Sequence, residues 1–429
     1  LQLQSINRLL LQAQSEKPAI SLLVDRISRY FVVSVLLLAA VTYGFWMSYS
    51  SGLYSHQAFW IMLSVLVVSC PCALSLATPA ALTAATNYLR KRGLLVTGTH
   101  VWEVIPSVTD VVCDKTGTLT KGKLSIGDIE PLAALSKQDC LAVAATLEAY
   151  SEHPIASAFS SAIIDSDDNL LPARAIELCH GQGVQGFVNG EHYCLGSDTF
   201  STSVFGHKDL IFPVGFAPGQ WLLLSNKLGP ICWFRLTDTV REGAAALISG
   251  LRARGLRVHM LSGDSSGAAK RLADQLGIDT CVEGASSSQK LDYIHSMQDA
   301  GKTVLMLGDG INDVPVLAGA DISVAMVNAS NLAKTQADSI LLSGDLKGVL
   351  VLMDLAISTR KVIRQNLTWA LAYNGLAIPL AAMAMVPPYA AAIGMSASSL
   401  VVIFNALRLQ REHRSKPVAV APITAHVGS

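Results

Sequence analysis

The sequence predicts an α-helical membrane protein with a cytoplasmic α/β domain, built on a doubly wound parallel sheet, into which a smaller α+β domain is inserted. Three observations predict this architecture: two long uncharged runs, a charged segment between them, and three apolar strands that each end in acidic or hydroxyl residues. The mean hydropathy of +0.41 is too high for an ordinary soluble enzyme, whereas 15% charged residues is too many for a wholly embedded protein.

Charge and cysteine content narrow the class of protein. The 429 residues have a formal net charge of zero, which argues against nucleic-acid binding driven by counterion release. The eight cysteines follow no regular framework, as expected in a reducing compartment. The chain begins at Leu1 rather than at Met, so we expect it to be a fragment of a longer protein.

The first uncharged run extends from 30 to 89 and predicts a membrane hairpin. It is long enough for two spans of about 20 residues each, at 31–49 and 58–85. Basic residues flank the hairpin on both sides, whereas the turn between the spans has none, which predicts that both ends face the cytoplasm. These flanking residues are Arg26, Arg29, Arg90, Lys91 and Arg92.

The second uncharged run extends from 365 to 407 and predicts a final membrane hairpin. It turns at "VPPY", 386–389, and is again bounded by basic residues, Lys361 and Arg364 before it and Arg408 after it. The charged segment between the two hairpins must then form the cytoplasmic domain.

The sequence "CPC" at 70–72 places two thiols inside the first uncharged run. On a regular helix, side chains at positions i and i+2 point about 200° apart. Pro71 removes a backbone donor and breaks the helix, which would let both sulfur atoms face one cavity. Thiolates prefer Cu(I), with Zn²⁺ or Cd²⁺ next, although two small residues packed at a proline kink would have the same sequence. Polar groups within a membrane are costly and usually functional, which favours a metal site.

Three predicted strands of the central segment end in polar residues. "DVVCD" ends at Asp114, "LRVHML" is followed by Ser262 and Asp264, and "KTVLMLGD" ends at Asp309, with Asp313 soon after. Open α/β sheets place their chemistry at the carboxyl ends of strands, so we expect one convergent site.

The groups at this predicted site suit phosphoryl transfer. A carboxylate can attack a phosphoryl group and form an acyl phosphate. Asp309 and Asp313 are ligands that Mg²⁺ prefers, and Lys290 could balance the charge of the transferred phosphate.

The motifs "DKTGTLT", "SGD" and "GDGINDVPVL" resemble the phosphorylation-domain signatures of P-type ATPases, within the haloacid-dehalogenase-like superfamily. The resemblance implies that Asp114 is the phosphorylated nucleophile and that Lys290 contacts its phosphate. It also implies catalytic roles for Ser262, where the family usually has Thr, and for Asp264. The Mg²⁺ site that it implies consists of Asp114, the Thr116 carbonyl, Asp309 and Asp313.

Two weaker motifs, "SEHPIA" and "GQGVQG", resemble the nucleotide-binding domain of heavy-metal P-type ATPases. The resemblance implies that this domain binds ATP. Its expected contacts are Glu148, His153, Gly181 and Gly183.

The last hairpin looks like that of the Cu(I)-transporting subgroup in the spacing of two residue sets, Asn366, Tyr373, Asn374 and Pro379, and Met395, Ser398, Ser399 and Asn405. Zinc and cadmium pumps typically carry charged residues here. The implied Cu⁺ ligands are Cys70, Cys72, Tyr373, Asn374, Met395 and Ser399. We therefore expect ATP-driven Cu⁺ export by an integral protein of a bacterial inner membrane, with catalytic domains in the cytoplasm. The expected partners are membrane lipid, a copper chaperone or another cytoplasmic Cu(I) donor, and the missing N-terminal part of the same pump.

The resemblance also predicts the domain boundaries. They are an actuator-domain end or linker at 1–29, a hairpin at 30–89, a phosphorylation domain at 90–124 and 231–345, a nucleotide-binding domain at 125–230, a final hairpin at 346–409 and a tail at 410–429.

Several alternatives remain at this point. One is a Zn²⁺- or Cd²⁺-exporting P-type ATPase, and another is a fragment that is phosphorylated but does not transport. A membrane-tethered phosphatase of the same superfamily would carry Asp where this chain has Thr116. A copper-binding membrane protein without enzymatic activity would leave Asp114, Lys290, Asp309 and Asp313 without a purpose.

Overall fold

A computed structural model describes residues 19–49, 55–133, 135–151, 154–166, 170–179, 182–206, 220–265, 267–309 and 313–412. The stretches 1–18 and 413–429, which include most of the predicted linker and tail, lie outside these residues.

Helices form the membrane part and flank two sheets. In chain order they are α1 (Ala19–Tyr49), α2 (Ser55–Val68), α3 (Cys72–Lys91), α4 (Val101–Val104), α5 (Lys137–Glu148), α6 (Pro154–Ser166), α7 (Asp198–Phe205), α8 (Ala244–Ala253), α9 (Ala268–Leu276), α10 (Ser287–Asp299), α11 (Val314–Gly319), α12 (Asn331–Gln336), α13 (Lys347–Ala382) and α14 (Pro388–Glu412). A 3₁₀ turn, Ile105–Ser107, follows α4.

The strands divide into two groups. In chain order they are β1 (Leu94–Val96), β2 (Asp110–Asp114), β3 (Thr120–Pro131), β4 (Ala173–Cys179), β5 (Gly183–Val188), β6 (Glu191–Gly196), β7 (Gln220–Asn226), β8 (Gly229–Val240), β9 (Arg257–Leu261), β10 (Thr280–Val282), β11 (Val304–Gly308), β12 (Ile322–Met326) and β13 (Ser339–Leu341).

The first sheet has seven strands in the order β1-β13-β12-β11-β2-β9-β10. All neighbouring strands are parallel except β1 and β13. Strands β2, β11 and β12 are buried along their whole length, as expected for a parallel sheet covered by helices on both faces. Because β11, β2 and β9 are neighbours, their carboxyl ends meet at one edge, which confirms the predicted doubly wound sheet.

The second sheet is antiparallel and has six strands in the order β3-β8-β7-β6-β5-β4. Its own core lies against α5 and α6, where the rings of Phe159 and Phe234 pack edge to face with centroids 5.1 Å apart. Strands β3 and β8 pair from Thr120 and Val240 onward, so two adjacent strands connect this domain with the parallel sheet.

Three stretches of the described chain are long and apolar enough to cross a membrane: Tyr30–Ser48, Gln57–Lys91 and Pro388–Gln410. The second of them is interrupted between α2 and α3 at 69–71, where Pro71 caps the new helix. The predicted third span, from Asn366 onward, is the second half of α13, which begins at Lys347 in the cytoplasmic domain.

The first half of α13 fixes this helix to the parallel-sheet domain. Leu350, Leu352 and Leu355 are fully buried in the largest apolar cluster, which also contains residues of β2, β9 and β11. Arg254 donates two hydrogen bonds to the Asp354 carboxylate, at 2.9 and 2.6 Å. One continuous helix therefore joins the sheet to the membrane part.

Candidate active site

Three carboxylates converge at the carboxyl edge of the parallel sheet. Asp114 is the last residue of β2, Asp309 follows β11, and Asp313 precedes α11. One oxygen atom of each lies within 4.8 Å of the others. The structure thus brings together the acidic residues that the sequence placed at separate strand ends.

Lys290 enters this cluster from the first turns of α10. A capping box between Ser286 and Gln289 fixes the start of that helix. The Lys290 ammonium lies 2.5 Å from Asp114 Oδ1 and 2.9 Å from Asp313 Oδ1, and all three side chains are buried. A single cation therefore bridges the predicted nucleophile and a second carboxylate.

The electrostatics of the cluster favour a bound cation. Burial, followed by the charge of Asp313, raises the pKa of Asp114 to about 6, although Lys290 opposes this shift. Burial, followed by the charges of Asp114 and Asp313, likewise raises the pKa of Asp309 to about 6. Three close carboxylates with one ammonium leave excess negative charge, and their oxygen atoms are the ligands that Mg²⁺ prefers. The residues present fit a magnesium ion.

The turn after β2 is shaped around these carboxylates. The backbone N–H of Thr116 donates to Asp114 Oδ2 at 3.0 Å. Gly117 has a φ of +73°, and a Cβ atom at this position would lie 1.6 Å from Asp309 Oδ2. Only glycine fits between the two strand ends. The predicted role of the Thr116 carbonyl in binding Mg²⁺ stays a prediction.

Ser262 and Asp264 follow β9 at the same edge, because Leu261 pairs with Asp114 across the sheet. The N–H of Asp264 donates to Ser262 Oγ at 3.1 Å, and the Asp264 carboxylate forms an ion pair with Lys115. The structure thus ties Asp264 to Lys115, the residue next to the predicted nucleophile. Direct roles of Ser262 and Asp264 in catalysis stay predictions.

Arg241 is a site residue to which the sequence analysis assigned no role, although the motif "DTVRE" that contains it, 238–242, resembles the hinge between the phosphorylation and nucleotide-binding domains of the family. It donates hydrogen bonds to the carbonyls of Gly117, at 2.6 Å from Nη2, and Thr118, at 3.0 Å from Nε. The side chain therefore holds the turn after Asp114 in place. It lies directly after β8, where the chain leaves the second sheet and returns to the parallel-sheet domain.

The predicted nucleotide contacts are described in part. Glu148 is buried at the end of α5, and burial raises the pKa of its carboxyl group. Gly183 begins β5, where a Cβ atom would lie 2.3 Å from the Leu195 carbonyl oxygen and 2.6 Å from Phe200. His153 and Gly181 lie outside the described residues, so the four-residue ATP site stays a prediction.

The two cysteines of the membrane part lie at the break between α2 and α3. Cys70 and Cys72 are joined in a disulfide, whereas the sequence analysis expected two free thiolates. The physical reason is the helix break itself, because it brings side chains that a regular helix would direct apart onto the same side. Metal binding by this pair requires its reduced form.

Packing places the cysteine break beside the predicted ligands of the last two helices. On one side of the break, an apolar cluster joins α3 to α13 and α14 through Ala73, Leu74, Ala77, Ala370 and Val402. On the other side, a second cluster joins the helices through Val65, Val68, Ala381 and Ala391. The break therefore lies at the level of 371–380 on α13 and 392–401 on α14. These stretches contain Tyr373, Asn374, Met395 and Ser399.

Close contacts fix the geometry of α13 and α14 at this level. A Cβ atom on Gly394 would lie 2.7 Å from the Tyr373 hydroxyl, so this glycine makes room for the tyrosine. Asn374 is buried, and the Ser399 hydroxyl donates to the Met395 carbonyl at 3.2 Å. Binding of a metal by these side chains stays a prediction.

Comparison with known proteins identifies the chain's relatives. The family model of haloacid dehalogenase-like hydrolases matches residues 111–321. Cation-transporting P-type ATPase B of Mycobacterium tuberculosis is 36% identical over 418 residues, which cover 95% of this chain and 55% of that protein. The copper-exporting P-type ATPase of the same organism is 36% identical over 407 residues, or 94% of this chain and 53% of that protein. The chain belongs to the P-type ATPase family.

The solved structures agree with this assignment. A zinc-transporting PIB-type ATPase in the E2.Pi state superposes with a TM-score of 0.77 at 29% identity, covering 95% of this chain and 67% of that one. This P-type ATPase chain is an integral membrane protein with its catalytic domains in the cytoplasm. It spans about half the length of the curated relatives it matches.

Proposed function

We propose that this P-type ATPase chain couples ATP hydrolysis to the export of Cu⁺ through an aspartyl-phosphate intermediate. One observation carries the proposal: Lys290 bridges Asp114 and Asp313 at a buried strand edge, with Asp309 in the same cluster. This arrangement offers a nucleophilic carboxylate, a cation for the transferred phosphoryl group and oxygen ligands for Mg²⁺.

In the proposed reaction, an Asp114 carboxylate oxygen attacks the γ-phosphorus of ATP. The bond from that phosphorus to the β,γ-bridging oxygen breaks, and ADP leaves with the electron pair. Lys290 neutralises charge on the phosphoryl group, and Gly117 lets the turn after Asp114 lie directly against the Asp309 carboxylate. Mg²⁺ held by Asp114, Asp309 and Asp313 would further neutralise the phosphate oxygens. Water then hydrolyses the acyl phosphate, releasing inorganic phosphate and restoring the Asp114 carboxylate.

The identity of the residue two positions after Asp114 supports a phosphoenzyme that persists. At this position Thr116 offers its backbone N–H to Asp114 Oδ2. A phosphatase would place a general acid there to speed hydrolysis, whereas Thr cannot serve as one near neutral pH. A longer-lived intermediate suits an enzyme that must change conformation before it releases phosphate.

Cu⁺ is favoured as the cargo by the chemistry of the membrane residues. The break at Cys70 and Cys72 lies at the level of the stretches of α13 and α14 that carry Tyr373 and Met395, and the run from 365 to 407 has no charged residue. A reduced thiol pair with neutral partners suits a soft monovalent ion, whereas a divalent ion would call for an additional carboxylate. A cytoplasmic Cu(I) donor would supply the ion.

Export of Zn²⁺ or Cd²⁺ is the second candidate. A specific observation favours it, because a structural relative at 29% identity is described as a zinc-transporting ATPase. Sulfur ligands also bind both of these ions.

Phosphorylation by γ-labelled ATP tests the proposal and separates the two cargoes. The purified chain is incubated with Mg²⁺ and a thiol reductant, with Cu⁺, Zn²⁺ or a chelator added in parallel. We expect a hydroxylamine-labile label that Asp114→Asn abolishes and that responds to Cu⁺ alone. A response to Zn²⁺ alone would establish the second candidate, and absence of label from a folded chain that binds ATP would contradict the enzymatic proposal.

The metal part of the test needs its own variants. Cys70→Ser together with Cys72→Ser should abolish the Cu⁺ response and leave the dependence on Asp114 unchanged. A matched double variant, Cys179→Ser with Cys281→Ser, removes two half-buried thiols of the cytoplasmic domains and should retain the response. Equal loss in both double variants would point to a general effect of thiol removal.

A further inference from the structure

A groove of about 860 Å³ lies where α13 enters the membrane. One wall is Pro106 in the 3₁₀ turn of the cytoplasmic domain. The other is the side of α13, with basic residues at the cytoplasmic end and a mixed apolar surface toward the membrane. The α13 residues are Ile357, Arg360, Lys361, Arg364, Gln365, Thr368, Trp369 and Ala372.

The basic residues occupy one end of this entry groove. Lys361, Arg364, Thr368 and Ala372 follow one another at intervals of three or four, so they share a face of the helix. The uncharged run begins at the next residue after Arg364, which places the cations at the edge of the membrane. The groove is therefore cationic at the membrane edge, where a phospholipid headgroup lies, and apolar toward the membrane interior, where the acyl chains lie.

The described residues do not neutralise the positive charge of the entry groove. In the part of the chain that the structure describes, Arg360, Lys361 and Arg364 are exposed and form no ion pair. The one acidic residue of α13, Asp354, is bound by Arg254 through two hydrogen bonds. Three free cations at a membrane surface attract an anion from the adjoining leaflet.

The apolar part of the entry groove has a fixed wall. The indole Nε1 of Trp369 donates to Ser398 Oγ at 3.1 Å, which ties the ring to α14 while 45% of the residue stays exposed. Farther along the same helix Leu376 is 70% exposed, so an apolar surface continues from the groove into the membrane. A free soluble phosphate would leave this surface unused, whereas an acyl chain would cover it.

We propose that the entry groove binds an anionic phospholipid of the cytoplasmic leaflet. Its phosphate lies among Arg360, Lys361 and Arg364, and its acyl chains follow Thr368, Trp369 and Ala372. Because α13 runs without interruption from the parallel sheet into the membrane, the bound lipid contacts the helix that joins the two parts. This binding does not depend on which metal the protein carries.

Native mass spectrometry of the chain in a neutral detergent tests the proposal. Phosphatidylglycerol and phosphatidylcholine with identical acyl chains are added, and the lipid retained by the protein is counted. We expect retention of phosphatidylglycerol to exceed that of phosphatidylcholine by at least about tenfold. Equal retention of the two lipids would overturn the proposal, as would displacement by inorganic phosphate at the concentration of the lipid.

Two variants separate the groove from general surface charge. The triple variant Arg360→Gln, Lys361→Gln, Arg364→Gln should retain at least about tenfold less phosphatidylglycerol than the unchanged protein. The matched control, Arg90→Gln, Lys91→Gln, Arg92→Gln, removes three cations at the cytoplasmic end of α3, outside the groove lining, and should change it by less than about twofold. Equal losses of phosphatidylglycerol retention in the two triple variants would show that the lipid is attracted to any basic surface of the protein and would contradict a specific site in the groove.

A third variant tests the apolar part without changing charge. Ala372→Phe places a ring in the groove on an exposed position of α13. We expect it to weaken phosphatidylglycerol retention while the phosphoenzyme level in detergent without added lipid is unchanged. Undiminished retention in this variant would exclude an acyl chain from the proposed path.

Discussion

A Cβ atom on Gly117 would lie 1.6 Å from Asp309 Oδ2, so the turn after Asp114, the proposed nucleophile, and the tip of β11 are in direct contact. The contact joins two strand ends that are 192 residues apart in the sequence, counted from 117 to 309. It explains why the first turn of the motif "DKTGTLT" needs a residue without a side chain.

Gly117→Ala is therefore expected to impair phosphorylation severely. The methyl group must displace the Asp309 carboxylate, and the φ of +73° adds backbone strain. We expect the rate of phosphoenzyme formation from labelled ATP to fall by at least about a hundredfold, as for a misplaced catalytic group. Gly255→Ala is the matched control, because Gly255 has a φ of +76° and its Cβ would meet nothing within 4 Å. If both variants lose the same activity, backbone strain and not the clash is responsible.

Stability should depend on pH and Mg²⁺ together. The pKa values of Asp114 and Asp309 are raised from 3.8 to about 6 in the folded protein. Because its pKa is higher in the folded protein, such a carboxyl group adds to the free energy of unfolding. This contribution is complete below pH 3.8 and is lost as the pH rises through about 6. Above that range the ionised carboxylates repel one another, and Mg²⁺ should offset the repulsion.

Thermal unfolding with and without Mg²⁺ measures this effect. We expect Mg²⁺ to raise the Tm by at least about 4 °C at about pH 8 and by less than about 1 °C at about pH 4.5. Asp309→Asn should reduce the shift at the higher pH, because one ligand and one repulsive charge are gone. A shift of the same size at both pH values would contradict this account.

Features of this structure that depend on neighbouring residues in the sequence could be predicted, whereas contacts between residues far apart in the sequence could not. Strand ends that carry Asp114, Ser262 and Asp309 are local patterns, and parallel strands must bring them to one edge, so the convergence of these residues was predictable. Arg241 was not, because its partner carbonyl at Gly117 lies 124 residues away and any cation in a loop has the same local pattern.

The membrane part shows a second kind of limit. Charges at Arg360, Lys361 and Arg364 mark the edge of the uncharged run, but they do not end a helix, since Lys and Arg are good helix formers. Composition therefore predicts where α13 meets the membrane. It does not predict that the same helix continues into the cytoplasmic domain. Likewise, Pro71 predicts the helix break, whereas the disulfide depends on the resulting side-chain directions.

Gly394→Ala is expected to weaken metal binding in the membrane part. The added Cβ would lie 2.7 Å from the Tyr373 hydroxyl and must displace this proposed ligand. Cu⁺ affinity of the reduced protein, measured by competition with a chelator, should fall by at least about tenfold, since loss of one supporting contact at a metal site typically costs that much. Gly375→Ala is the control, because its Cβ would meet nothing within 4 Å. Unchanged affinity in Gly394→Ala would remove Tyr373 from the proposed ligands.

Gly183→Ala is expected to lower nucleotide affinity without abolishing the phosphorylation chemistry. The new Cβ would lie 2.3 Å from the Leu195 carbonyl oxygen and 2.6 Å from Phe200, so β5 and β6 must separate at the end where Gly183 begins β5. Phosphoenzyme formation should then need at least about tenfold more ATP, with a similar maximum, because the loss is in binding rather than in the transition state. Gly190→Ala lies in the turn at the other end of the same two strands, where its Cβ would meet nothing within 4 Å, and should retain normal ATP dependence. A lower maximum at unchanged ATP dependence would instead place Gly183 in a structural role away from the nucleotide.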